Sequence, residues 1–196
     1  MKNVFLIAGI LLAQLAFSQH TPLVELHNGT FEPPKVDLNQ IEGLRSFDGQ
    51  QYVLITFYTI PSKEAQAQLE KLGVQLLKYI PGKTFSAKVP TSLDFGKLRG
   101  LQIASVFELS ADQKLHVDLT DQGTYPDWAY VKETELQVNI VLFDAKDEAK
   151  AFEHLQQAGY TFWEGNNHRQ IVSVVVPTSK LKQLASLPFV RFVEPA

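Results

Sequence analysis

From residue 52 onward the chain switches between two periodicities. Tyr52-Val53-Leu54-Ile55-Thr56-Phe57-Tyr58 is rich in β-branched and aromatic residues and is stopped by Pro61, as a central strand would be. Ser62 offers an N-cap. Ala65, Leu69 and Leu72 then recur at helical spacing, with Lys63, Glu64, Glu70 and Lys71 off that face, and Gly73 stands at the stop position. Val74 to Tyr79 and Thr84 to Val89 flank the turn Pro81-Gly82-Lys83, which predicts a hairpin closing on Pro90. Thr91 or Ser92 caps a short helix carrying Phe95, Leu98 and Leu101 inward, and Ile103 to Leu109 supplies a fourth strand. The order is βαββαβ.

The same order returns further along. Leu136 to Phe143 reads as a strand, and Lys146 to Ala158 as a helix with Ala149, Phe152 and Leu155 inward and Gly159 at its end. Tyr160 to Glu164 and Gln170 to Val176 read as a hairpin around Gly165-Asn166-Asn167. Thr178 to Leu187 is a second helix and Phe189 to Val193 the last strand. Val89-Pro90-Thr91-Ser92 repeats as Val176-Pro177-Thr178-Ser179 at an offset of 87. Past a one-residue gap, Leu98, Leu101, Val106 and Glu108 fall on Leu184, Leu187, Phe192 and Glu194 at an offset of 86. Shared order, glycine stops and apolar spacing together mark an internal duplication. Right-handed crossovers close each unit into an antiparallel four-stranded sheet with both helices on one face, so the expected class is α+β: two tandem ferredoxin-like units. The opposite sheet face of each unit is expected to be left to solvent or to a partner.

Around these units, residues 1–18 read as a signal peptide. Lys2 precedes a short apolar run from Val4 to Leu12, and Ala16-Phe17-Ser18 places small residues at the −3 and −1 positions of a cut. The run is too short to span a bilayer, so export to the periplasm or outside the cell is expected, with no membrane association after cleavage. Residues 19–50, broken by Pro22, Pro33, Pro34 and several glycines, read as an extended arm, residues 51–110 as the first unit, 111–133 as a linker and 134–196 as the second unit.

Composition narrows the chemistry. A net charge of −3 offers no basic surface for phosphates, so nucleic acid is not an expected partner, and the absence of cysteine excludes disulfides and thiolate metal sites. His20, His27, His116, His154 and His168 are scattered with no metal-ligand spacing. Asp144, Asp147, Glu148 and Glu153 fit a solvated helix face. Asp121-Gln122-Gly123-Thr124 has no partner motif for hydrolysis, and Asn28-Gly29-Thr30 matches a glycosylation sequon to which no role is assigned. Tyr160, Phe162 and Trp163 with Phe189 and Phe192 make a weak aromatic patch. No catalytic residue, cofactor or metal is expected.

Each copy, with its opening strand, helix ending in Gly, hairpin, Val-Pro-Thr-Ser and Leu-rich short helix, resembles the propeptide (inhibitor I9) domain that precedes subtilisin-like serine proteases. The second copy is the better match, through Val174-Val175-Val176-Pro177, Leu181, Leu184, Leu187, Pro188, Val190, Phe192, Val193, Glu194 and Pro195. The resemblance covers residues 51–196 and is similar to the N-terminal region of secreted bacterial subtilases. It implies a non-catalytic intramolecular chaperone and temporary inhibitor whose partner is a protease catalytic domain, in cis or in trans. It further implies that the exit strand Arg191, Phe192, Val193, Glu194, Pro195 and Ala196 enters the substrate cleft as an added strand. Because that family continues into a catalytic domain, the resemblance favours a truncated precursor over a free-standing inhibitor. A secreted scaffold using the same fold for other interactions is the alternative.

Replacing Phe192 with Asp would place an unpaired charge at a strand core or docking position. The expected cost is several kcal/mol in stability or affinity, read by chemical denaturation alongside a binding assay.

Overall fold

The computed structural model describes residues 21–120, 125–163 and 170–196. The expected signal peptide, His20, His168, Asp121-Gln122-Gly123-Thr124 and the Gly165-Asn166-Asn167 turn lie outside the described residues.

The chain is mixed α+β with antiparallel sheets. A hairpin of β1 (Val24–Leu26) and β2 (Gly29–Phe31) comes first, followed by β3 (Ser46–Phe47) and the first unit: β4 (Gln50–Phe57), α1 (Lys63–Lys71), β5 (Gln75–Ile80), β6 (Thr84–Pro90), a 3-10 turn (Phe95–Leu98) and β7 (Ile103–Phe107). Its sheet runs β7-β4-β6-β5, with β3 hairpinned onto the start of β4. After α2 (Ala111–Lys114) and β8 (Tyr130–Lys132), the second unit repeats the plan with β9 (Glu135–Leu142), α3 (Glu148–Gln157), β10 (Thr161–Phe162), β11 (Ile171–Pro177), α4 (Leu181–Ala185) and β12 (Val190–Pro195). Its order is β12-β9-β11-β10. In both units the split βαβ arrangement puts the first and third strands at the centre, as a ferredoxin-like unit requires.

Alternation along the central strands assigns the faces. Val53, Ile55 and Phe57 of β4 point to the helix side of the first unit, where Leu69, Val74, Phe95 and Leu98 complete the core. Leu136, Val138, Ile140 and Leu142 of β9 do the same for the second unit, under Leu155, Leu181 and Leu184. Ser62 caps α1 by accepting from Ala65 N, as its sequence position predicts. On α3 the inward residues are Ala151 and Leu155; Ala149 and Phe152, expected inside, lie outside, and Phe152 stacks on Phe162 at 3.8 Å.

The duplication is exact in topology, but the last strand corrects the alignment. Both Val106 and Val193 sit opposite the equivalent isoleucines Ile55 and Ile140, so β7 and β12 correspond at an offset of 87, not 86. The extra residue taken up before β12 restores the register. A one-residue slip exchanges the faces of a strand, so Phe192 corresponds to Ser105 on the side away from the helices, and Val193 enters the core. Arg191 occupies the bulge between Val190 and Phe192.

The first unit's second sheet face is closed, against the expectation that it would be free. Tyr52, Leu54 and Phe107 on that face join one core with Val24, Leu115, Phe143 and Phe189. The cover comes from residues 21–50 and from the end of the second unit. The segment is more ordered than an extended arm. Val24 is fully buried and Phe31 meets Phe107 edge-on, while Leu38, Ile41 and Leu44 pad the other face. Asn28 Nδ2 donates to the carbonyls of Asp112 and Leu115, which makes this sequon asparagine a structural tie. The β1–β2 hairpin thus acts as a strap; near its start Glu25 N donates to Pro81 O, and Gly82 at φ +94° lies so close that an added Cβ would fall 1.8 Å from the Leu23 carbonyl oxygen.

Gly82→Ala therefore cannot keep the strap seated. The expected loss is about 1–3 kcal/mol of stability, and amide exchange should show β1 protection lost while β4 protection persists.

Candidate partner-docking surface

Three groups of residues decide what surface remains: the junction between the units, the exit strand and the second unit's outer sheet face. At the junction, Lys88 of β6 reaches across to Asp147 Oδ1 at 2.7 Å and Asp144 Oδ2 at 3.4 Å. The Tyr52 hydroxyl donates to Asp147 Oδ2 at 2.5 Å, and the Tyr52 ring stacks on Phe143 at 5.4 Å. Asp147 is only 7% exposed, so it and Asp144 are not the solvated surface residues expected from their place beside a helix. Their partner Lys88 lies 59 positions from Asp147 and 56 from Asp144 in sequence, beyond the reach of helix-face reasoning. Burial and the Asp147 carboxylate push the Tyr52 phenol well above its ordinary range, and removing one partner of such a buried pair typically costs about 3–5 kcal/mol.

A second tie closes on the C-terminal end of α4, whose last carbonyls have no partner within the helix. Arg45 donates from Nε to Glu108 at 2.9 Å and from Nη1 to the Ser186 carbonyl. Lys114, 2% exposed, donates to the Leu187 carbonyl at 2.9 Å and lies over the Phe143 ring. Burial, reinforced by the nearby Arg45 charge, brings the Lys114 ammonium down to about 7.

The six residues expected to contact a partner lie together on β12 and its end, but they do not form a free strand. Phe192 is 6% exposed, flanked by His27 at 4.7 Å and His116 at 6.1 Å, and Val193 is fully buried. Glu194 and Pro195 pair with Asn139 and Val138 on one side, and Ala196 N donates to Gln137 O. On the outer side His116 N donates to Val193 O at 2.8 Å, next to a parallel bridge between Leu115 and Val193. Arg191, Glu194, Pro195 and Ala196 keep partial exposure.

The second unit's outer sheet face differs from its counterpart in the first. By register, Tyr52, Leu54 and Phe107 correspond to Gln137, Asn139 and Glu194, so polar residues stand where the first unit is apolar. Around this polar centre Val141, Ile171 and Val175 are half-buried and Trp163 is 40% exposed. Sequence reasoning expected an open sheet face on this unit but named none of its residues, although the alternation of Gln137, Asn139 and Val141 with buried neighbours was a usable signal.

The other candidates disperse. The expected aromatic patch is split, since Phe189 packs on Phe47 and His154, Phe162 on Phe152, and Phe192 on the two histidines. No cluster of three or more metal-ligating side chains occurs among the described residues, and no helix there is long and apolar enough to cross a membrane.

A family model described as a domain of unknown function (DUF8729) matches residues 25–110. The match begins within β1 and runs past β7, so it takes in the strap together with the first unit. No curated protein and no solved structure matches the chain.

For Lys114 the folded-state value lies below the ordinary 10.5, so between about 7 and 10.5 the unfolded chain binds more protons. Stability should rise with pH across that window. Thermal unfolding followed over this range should show the rise in the natural chain and its loss in Lys114→Met.

Proposed function

We propose that the chain is an exported, non-catalytic propeptide-type module. It assists the folding of a subtilisin-like serine protease and temporarily inhibits it, docking through the outer sheet face of the second unit. The observation that carries this reading is the inequality of two otherwise equivalent faces. The first unit's face is filled from within the chain, whereas the second unit's keeps Val141, Ile171, Val175 and Trp163 partly exposed around polar residues. An apolar-and-polar mosaic of this kind suits a reversible interface better than a permanent one. In this reading the first unit braces the second, and the exit strand positions the docking face as well as touching the protease at its end.

Because Val193 and Phe192 belong to the core, trimming the last six residues would damage the fold, so the test uses a surface change. The chain from Gln19 should inhibit a cognate bacterial subtilase slowly and tightly. Val175→Glu should weaken that inhibition by at least about tenfold, with thermal unfolding unchanged. Absence of inhibition across a panel including the cognate enzyme would instead favour the scaffold reading.

A further inference from the structure

A groove of about 380 Å³ opens where the β1–β2 strap, β5 and the start of β12 meet. Its floor is apolar, formed by Phe192, Leu26 and Ile80, and Tyr79, half exposed, stands beside it. Two cations line it. Arg191 sits at the β12 bulge, and its guanidinium has no hydrogen-bond or ion-pair partner among the described residues and feels Glu194 only at longer range. Lys78 lies on β5, and its ammonium is likewise without a partner among them. Glu25 is the single carboxylate of the lining. An arginine held half-buried without an acceptor is costly, and a bidentate carboxylate is the group its planar fork fits best.

We propose that this groove binds a small organic monocarboxylate with an aromatic body, its carboxylate on Arg191 and Lys78 and its ring on Phe192 and Tyr79. The volume lies near the lower end of the range for small-molecule sites, enough for one such acid. An extended peptide is disfavoured because β1 already meets the end of β5, where Glu25 N donates to Pro81 O, so the neighbouring sheet edge is not free to take an added strand. The site needs the strap, the first unit and the second unit at once, and it does not depend on the protease reading.

The test is calorimetric titration of the full chain with 3-phenylpropionate, with 3-phenylpropanamide and propionate as comparisons and amide NMR shifts to locate the site. Saturable binding of the acid is expected, with shifts at Tyr79 and Phe192. The neutral amide, which cannot charge-pair, and propionate, which lacks the ring, should each bind at least about tenfold more weakly. Arg191→Met should abolish binding. Lys78→Met, on an exposed side chain, should weaken it by a smaller factor with the unfolding temperature unchanged, which guards against damage to β12 in the first variant. Equal binding of acid and amide, retention of affinity in both variants, or no saturable binding by the acid would each overturn the proposal.

Discussion

A four-stranded sheet with its helices on one side has a second face, and in the first unit that face is apolar. Tyr52, Leu54 and Phe107 have to be removed from water, and much of the molecule's organisation follows from how this is done. The strap lays Val24 and Phe31 on one part, and the second unit brings Phe143 and Phe189 against another. The polar groups trapped at that junction are then paired, Lys88 with Asp144 and Asp147, and Lys114 with the end of α4. Buried charge of this kind selects one arrangement of the two units more than it stabilises them, since a misplaced unit would leave Asp147 or Lys88 uncompensated.

Duplication followed by divergence explains how one copy became the platform and the other the exposed partner. The backbones keep the same order and register, while Tyr52, Leu54 and Phe107 have Gln137, Asn139 and Glu194 as their counterparts. At the last strand a small Ser105 lets the arm pass, its hydroxyl donating to Pro34 O, whereas Phe192 fills the equivalent place and takes the strap's His27 upon it. Identical scaffolds thus receive different covers through a few side chains.

The element order, the ferredoxin-like class and the inward face of α1 were legible because their signals are local: strand composition, helical spacing and turn chemistry within a dozen residues. What was not legible depends on distant partners. Asp147 looks like any helix-surface acid until Lys88 is placed beside it, and the 19–50 segment looks like a linker because three short strands among prolines and glycines carry little periodic signal. The register of β12 was missed by one position because the compensating residue lies before the strand, where apolar spacing does not count it. The expected contact strand was located in sequence, but the burial of Phe192 and Val193 follows from His27, Leu115 and His116, all remote from it.

The strap has a kinetic implication as well. Its residues are made before both units, yet His27 rests on Phe192 in the last strand of the second unit, and Asn28 on α2. Each unit can gather its own local contacts during synthesis, but the Asn28 ties span 84 and 87 positions and the His27–Phe192 contact reaches from β1–β2 to β12, so these closures carry more loop-closing entropy than contacts within either unit. A segment made before both repeats is therefore among the last to settle, and its docking marks the moment at which both have been completed and correctly joined.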